Sequence, residues 1–536
     1  MKYSKAKLLL CSIVLLCVLV CLGALCGCHK EKTDNEKTQM WDDITYEELV
    51  SAVEKYINEK YDTPLAREAA SARLVEIVRS SEDQYKKFWQ IEGAYPDYLQ
   101  YRFAKWLKKA ETGDVVAQYN VAMCYFDGRG VALNEEEGDK WYRKSAESGF
   151  AVVQGILGRL YEDGSGGVIK DINEAVKWYR LAAEQGDDFA EYRLGRCYAN
   201  GLGVAKDMQE AIKWYRKSAE HGYCYAQREL GLCYAQGLGV SQDMQEAVKW
   251  YRQAAEQGDC DAQRELGLCY LEGKGVEKNT TQAVKLFREA ADWGDVDAQY
   301  NLGKCYANWI GVFLDLKEAV RWYREAAEHG HTEAQYELAK ILIDYCIEGN
   351  SGVAEAVTWY RKAAEQGLPE AQYELGKLYD YGDIIAGLAQ DKTEAIMWFR
   401  KAAEQGHAEA QYVLGLHYDD GCGVPVDKTE AIKWYRKSAE QGYIWAQDCL
   451  AFCYEQGNGV PKDMTEAAKW YSNAANGLRK LAEQGYRYAQ SELGQYYANG
   501  KGVPQDLQEA IKWYRKAAAQ GDSFAKDALK KLGVEE

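Results

Sequence analysis

Asp259 to Gly294 reads DCDAQRELGLCYLEGKGVEKNTTQAVKLFREAADWG, and its spacing decides the fold. Ala262, Leu266, Cys269 and Tyr270 fall at i, i+4, i+7 and i+8, one apolar stripe of a helix. Ala247, Tyr251, Ala254 and Ala255, just upstream, repeat that spacing, so helices come in pairs. Between paired helices lies Gly-x-Gly-Val, as in Gly237-Leu238-Gly239-Val240, whose glycines allow the positive φ that ends a first helix. Asp207, Asp243, Asp463 and Asp506 stand where second helices begin and are expected to N-cap them. Glu256-Gln257-Gly258 closes a second helix. Two helices of this size cannot bury both faces alone, so neighbouring pairs must stack.

The pair is copied along the chain. The Trp of a recurring Lys-Trp-Tyr-Arg string falls at Trp141, Trp178, Trp214, Trp250, Trp322, Trp359, Trp398, Trp434, Trp470 and Trp513, and Leu286-Phe287 fills the gap after Trp250. These mark eleven repeats, numbered in that order. Ten of the 16 Trp are therefore one position copied, and the excess of 41 Tyr over 10 Phe points the same way. The 536 residues make one array rather than three or four globular domains. With 47 % apolar and 28 % charged residues the chain is core-forming, not disordered. A net charge of −17 argues against nucleic acid, which is bound through clustered Lys and Arg.

The strings A-x-x-x-LG-x-x-Y, GxGV, D-x-x-E-A and WYRKAAEQG resemble the Sel1-like repeat, a relative of the tetratricopeptide repeat. The resemblance covers residues 98–532. It implies an all-α fold, an α/α superhelical solenoid of eleven helix-pair repeats, with a concave face that binds proteins or peptides. Three consecutive repeats depart from the pattern and are expected to form a bend or a distinctive surface. The sixth replaces the first loop glycine, with Trp309 nearby, in ANWIGV. The seventh reads LAKILIDYCIEGNSGV from Leu338, and the eighth has Tyr381-Gly382-Asp383-Ile384-Ile385 in place of GxGV. The tenth carries seven extra residues near Asn473 to Arg479, two helical turns, read as a lengthened second helix or a bulge at Asn476-Gly477. Lys105-Trp106-Leu107 begins a half-repeat ending at Gly113-Asp114, and Asp522 to Leu532 begins a twelfth first helix; both read as caps of the array.

The N-terminus reads as an address. Lys2, Lys5 and Lys7 precede an apolar run from Leu8 to Cys26, the layout of a secretory signal. Leu25-Cys26-Gly27-Cys28 resembles the bacterial lipobox, which implies lipidation at Cys28 after removal of residues 1–27. An uncleaved anchor is the other reading, since about twenty apolar residues just span a bilayer. Either places the body in the cell envelope, outside the cytoplasmic membrane. Residues 28–40 are then a polar tether, and 41–97 a non-repeat helical region with helices over Glu47 to Tyr61 and Leu65 to Arg79.

Chemistry-bearing residues are few. Cys124, Cys197, Cys233, Cys269, Cys305 and Cys453 share one repeat position, read as small buried core residues. Stacked helices lie about 10 Å apart, beyond the roughly 7 Å between Cα atoms that a disulfide tolerates. His329-Gly330-His331 lies in a turn, and the six His are read as solvated loop residues rather than metal ligands. Ser523-Phe524-Ala525-Lys526 matches Ser-x-x-Lys without the accompanying SDN or KTG. No catalytic residue, metal or cofactor is expected.

The better candidate is a row of side chains two residues after the stripe Ala: Tyr119, Tyr192, Arg228, Arg264, Tyr300, Tyr336, Tyr373 and Tyr412. They turn away from the stripe centre. They either line a ligand-facing surface, as Tyr and Arg do at interfaces, or pack between neighbouring repeats. Glu229, Glu265, Glu337 and Glu374 follow in sequence as an acidic edge. The expected function is a membrane-tethered scaffold binding a protein or peptide, a basic one by charge. The alternative is an envelope hydrolase of the β-lactamase-like kind described for cysteine-rich relatives, for which the residues offer no convergent catalytic set.

Overall fold

The computed structural model describes residues 95–165, 168–345, 349–382 and 388–534. The signal peptide 1–27, the lipidation residue Cys28, the tether 28–40 and the two expected helices of the non-repeat region lie outside the described residues. Within them the chain forms 24 α-helices and no β-strand element. The helices group into two compact bodies. One runs to Leu230 and takes in Leu238–Val240; the other holds Gly231–Gly237 and continues from Ser241.

The sixth repeat, in the C-terminal body, shows why these residues form this pair. Its first helix, Val296–Ala307, starts where the Asp295 carboxylate accepts the Ala298 N–H at 2.6 Å. Its second, Leu316–Glu328, starts where Asp315 accepts the N–H groups of Lys317 and Glu318 at 3.0 and 3.1 Å. Both caps satisfy donors that the first turn leaves unpaired. Ala298, Leu302 and Cys305 bury one face; Ala319, Val320, Tyr323, Ala326 and Ala327 bury the other. The Asp243, Asp207, Asp463 and Asp506 caps stand as the sequence places them.

One contact joins the two helices of a repeat. The Tyr323 ring lies flat against Gly303, so that a Cβ there would fall 2.7 Å from the ring. The same pair recurs as Gly267 with Phe287, Gly376 with Phe399, Gly415 with Tyr435 and Gly494 with Tyr514, and in the N-terminal body as Gly158 with Tyr179 and Gly195 with Tyr215. The LG and WY signatures are thus the two halves of one contact. The seventh and tenth repeats carry Ala339 and Ala451 at this position, both fully buried.

Two hydrogen-bond series tie repeats together within each body. In the C-terminal body Gln335 Nε2 donates to the Ala327 carbonyl at 3.1 Å, and Gln366 Nε2 donates to Gln335 Oε1 at 2.8 Å. The N-terminal body repeats it, with Gln154 on the Ala146 carbonyl and Gln185 on Gln154, both at 2.8 Å. Where Glu-Gln-Gly follows, as at Gln366, the buried amide of Ala-Gln has its donor and acceptor both satisfied. On the loop side, Arg361 donates to the Tyr379 hydroxyl at 2.7 Å and Arg180 to that of Tyr198 at 2.9 Å, each eighteen residues on.

The departures resolve locally. Gly311 keeps the second loop glycine of the sixth repeat, at φ 69°, where a Cβ would strike the Thr280 carbonyl oxygen at 2.4 Å. Trp309 occupies the first loop-glycine position and takes up φ 58°, the sole positive-φ residue other than glycine among the described residues. In the seventh repeat the second helix runs over Gly349–Glu365. The seven extra residues of the tenth lengthen its second helix to Met464–Glu483; there is no bulge, and Gly477 lies where a Cβ would meet Ile444. At the N-terminal end the expected half-repeat from Lys105 is a full helix starting ten residues earlier, Tyr95–Glu111. It covers the array through Ala110, Phe103, Trp106 and Leu107. At the other end Ser523–Lys531, capped by Asp522, buries Ala525 and Leu529.

The ring–glycine contact sets a prediction. Tyr323→Ala should lower the local opening free energy of helices Val296–Ala307 and Leu316–Glu328, read by amide hydrogen exchange, by about 3 to 5 kcal/mol. Gly303→Leu should do at least as much damage by overpacking. Unchanged exchange in either variant would contradict the contact's role.

Candidate partner-binding face

Each row residue is the fifth residue of a first helix, at the start of its second turn. The tyrosines of the row share aromatic surroundings. Tyr300 lies 5.9 Å from Tyr323 of its own second helix and stacks at 4.5 Å on His331, the cap of the next first helix. Tyr373 lies 5.9 Å from Phe399 and stacks at 4.8 Å on His407. Tyr412 meets Tyr435 at 6.1 Å and Tyr443 at 5.3 Å, and Tyr336 meets Tyr360 at 5.7 Å. In the N-terminal body Tyr119 meets Tyr142 and Phe150, and Tyr192 meets Tyr215 and Tyr223. The rings therefore pack between neighbouring repeats. All but Tyr192 keep part of their surface open to solvent.

The two arginines of the row are held by carboxylates. Arg264 Nη1 lies 2.5 Å from Asp295 and 3.0 Å from Asp261. Arg228 Nη2 lies 3.3 Å from Glu229, with its guanidinium 5.4 Å from the Tyr225 ring centroid. The acidic edge expected from the sequence is partly paired within the chain as well: Glu265 with Arg264 at 3.4 Å, and Glu374 with Lys377 at 2.8 Å.

A second acidic row is the feature that sequence reasoning missed. Asp261, Asp297, Glu333, Glu370 and Glu409 occupy the second residue of five successive first helices, in the fifth to ninth repeats, all in the C-terminal body. Each stands three residues before a row residue, on the same helix face. Glu333, Glu370 and Glu409 are exposed. Their signal was the acid in front of Ala-Gln-Tyr in EAQY. Their field reaches the tyrosines: burial first, then Glu374, Glu337 and Glu370, pushes the Tyr336 hydroxyl up to about 12. Burial and then Glu409 push the Tyr373 hydroxyl up.

The histidines need a correction. His331 and His407 are not solvated loop residues but N-caps, standing where other first helices have Asp. His331 Nδ1 accepts the Ala334 N–H, and His407 Nδ1 the Ala410 N–H, both at 3.2 Å. A ring nitrogen accepts only when unprotonated, so the cap requires neutral imidazole. His417 is buried in the cysteine position, with Nδ1 2.8 Å from the Cys422 carbonyl and Nε2 3.3 Å from Asp380. The repeated Cys124, Cys197, Cys233, Cys269, Cys305 and Cys453 are buried; burial pushes the thiols of Cys197, Cys269, Cys305 and Cys453 up to about 11. Among the described residues no three His, Cys, Asp or Glu side chains gather as a metal site.

Burial lowers the His407 pKa below its ordinary value of 6.5, against the pull of Glu409, Glu370 and Glu374. The folded state therefore binds this proton more weakly than the unfolded chain, so stability is complete above the unfolded value and falls as pH drops through it. His407→Asp restores the usual cap and should flatten the decline in the urea midpoint between pH 7.5 and 5.5. A decline as steep as in the unaltered chain would contradict this.

A profile of the Sel1 repeat matches the chain eleven times, at residues 115–150, 154–187, 188–223, 224–259, 260–295, 296–331, 332–368, 369–407, 408–443, 446–477 and 487–522. Among solved structures, the chain is 35 % identical to c5321 of uropathogenic Escherichia coli, a protective antigen with an SLR fold. The match covers 81 % of this chain and 91 % of that one, with a TM-score of 0.69. A Sel1 repeat protein of Oxalobacter formigenes is 32 % identical over 60 % of this chain and 90 % of its own, at a TM-score of 0.45. The cysteine-rich protein B of Helicobacter pylori is 32 % identical over 25 % of this chain and 97 % of its own, at 0.21. A comparison with curated proteins returned no match.

Proposed function

Because the chain belongs to the Sel1 repeat family, α/α solenoids that generally serve protein–protein interaction, we propose that it is a scaffold whose first-helix face in repeats six to nine holds a basic segment of a protein partner. One observation carries this: half-open Tyr rings alternate with exposed carboxylates along successive first helices. Tyr336 and Tyr373 stand among Glu333, Glu337, Glu370, Glu374 and Glu409. A Lys or Arg laid between such rings meets a π-face and a carboxylate together, the arrangement that recognises a cation best. Tyrosines already packed on neighbouring rings, Tyr336 on Tyr360 and Tyr373 on Phe399 and His407, lose little entropy on binding.

An arginine-rich nonapeptide labelled with a fluorophore is a suitable probe. The triple change Glu333→Gln, Glu370→Gln, Glu409→Gln should weaken its binding about tenfold at low salt. The difference should shrink as salt screens the charges. A triple change on the second helices, Glu246→Gln, Glu430→Gln, Glu509→Gln, should leave binding unaltered. Equal losses from the two triples would overturn the assignment of the face.

We place this scaffold in the bacterial cell envelope, lipid-anchored at Cys28 outside the cytoplasmic membrane. The support is the order of Lys2, Lys5 and Lys7, the apolar run Leu8 to Cys26, Cys28 and an abrupt polar stretch. Cells fed a clickable fatty acid should label the protein, and Cys28→Ala should abolish the label. A label that survives the change would refute lipidation at that thiol.

A further inference from the structure

We propose that the loop edge of repeats six to eight seats on a lipid bilayer. Five large apolar or aromatic side chains are open to solvent there: Trp309 at 69 %, Phe313 at 84 %, Leu314 at 56 %, Tyr345 at 61 % and Tyr381 at 76 %. All five lie at one level of the repeat. Tyr381 ends the first helix Pro369–Tyr381, Tyr345 is the C-cap of Thr332–Asp344, and Trp309 follows the C-cap of Val296–Ala307, with Phe313 and Leu314 in the same loop.

Other repeats expose aliphatic side chains at this level, Leu133, Ile169 and Val426 among them, but among the described residues no aromatic ring. The fourth reads Gly237-Leu238-Gly239-Val240-Ser241-Gln242 and the eleventh Gly500-Lys501-Gly502-Val503-Pro504-Gln505. There the position of Trp309 is a glycine, and those of Phe313 and Leu314 are polar or proline. In the sixth repeat Trp309 holds a left-handed backbone at φ 58° that glycine would hold without strain. A large ring kept at that position, facing water, is without use to the core. Nothing in the fold needs Phe313 either, which is exposed more fully than the other four.

The residue types and placement fit a membrane interface. Trp and Tyr settle at headgroup depth, and Phe and Leu gain by entering the acyl boundary. The side chains stand on protruding loop tips and helix ends rather than in a groove that a peptide would fill. Lys392 Nζ lies 5.6 Å from the Tyr381 ring centroid while it is held by Asp380 at 2.7 Å. A bilayer is also within reach. This clause rests on the envelope anchor proposed above: 66 residues separate Cys28 from Tyr95, and even wound wholly as helix they would span about 100 Å. The partner-binding face and the bilayer edge are then different surfaces of the same repeats, one on the exposed side of the first helices and one at their C-terminal ends.

The test uses the full chain, purified in detergent and reconstituted into phosphatidylcholine vesicles that carry a diazirine on the acyl chain. After irradiation, lipid adducts are mapped by mass spectrometry on tryptic peptides. Peptide 305–317 holds Trp309, Phe313 and Leu314; peptide 229–249 holds the fourth repeat's loop and serves as the control. Adducts on 305–317 should exceed those on 229–249 at least fivefold, and Trp309→Asp with Phe313→Asp should abolish the excess while circular dichroism stays the same. If the chain floats with the vesicles but the two peptides are labelled alike, the docking edge is refuted and the anchor stands. A chain that does not float at all refutes both. Protection of 305–317 that appears only on adding a protein extract assigns the edge to a protein instead.

Discussion

A tyrosine ring laid on a helical glycine is the contact on which the rest of the array depends. With hydrogen at position 303, the backbones of helices Val296–Ala307 and Leu316–Glu328 approach until the Tyr323 ring covers the glycine. That distance fixes where the second helix ends. The end fixes the carbonyl of Ala327 that Gln335 reaches, and that glutamine fixes the position of the following first helix. The same ring also supports the row tyrosine: Tyr300 leans on Tyr323 from the other side. Core packing and the binding face are thus built from one aromatic stack, with its inner member buried and its outer member half open.

This explains why the face is rigid and why it varies. Tyr300, Tyr373 and Tyr412 each meet the cap of the next first helix, and the cap residue can differ, some caps still accepting the same N–H. Asp295, His331 and His407 all do so. Where the cap is His, it stacks on the tyrosine; where it is Asp295, it binds Arg264 instead. The row residue and the cap change together, and the chemistry along the face changes with them while the fold does not.

Most of the fold was legible in the sequence because its information is local. Helix pairs, caps at Asp243 and Asp463, glycine stops and the repeat number all follow from spacing within some forty residues. The binding face was legible only in part. A helical wheel places Tyr336 on the open side of its own helix, but not that its ring packs on Tyr360. It says nothing of Gln366 reaching back 31 residues to Gln335. His331 looked like a solvated turn because an imidazole in the capping role is chemically unlike the Asp it replaces. The acidic row at Glu333, Glu370 and Glu409 was hidden by its position beside the conserved-looking Ala-Gln pair of each repeat, where the reading attended to the apolar stripe. Trp309 was visible as a missing glycine, but its left-handed backbone and exposure were not.

The central claim is that the partner lies on the first-helix face. A photoreactive phenylalanine analogue placed at position 336 in living cells, with a second chain carrying it at position 433 on a second helix, tests this directly. The claim predicts a discrete protein adduct from position 336, absent from position 433, and lost when Glu333, Glu370 and Glu409 are neutralised. The same adduct from both positions, or one from position 433 alone, would contradict it.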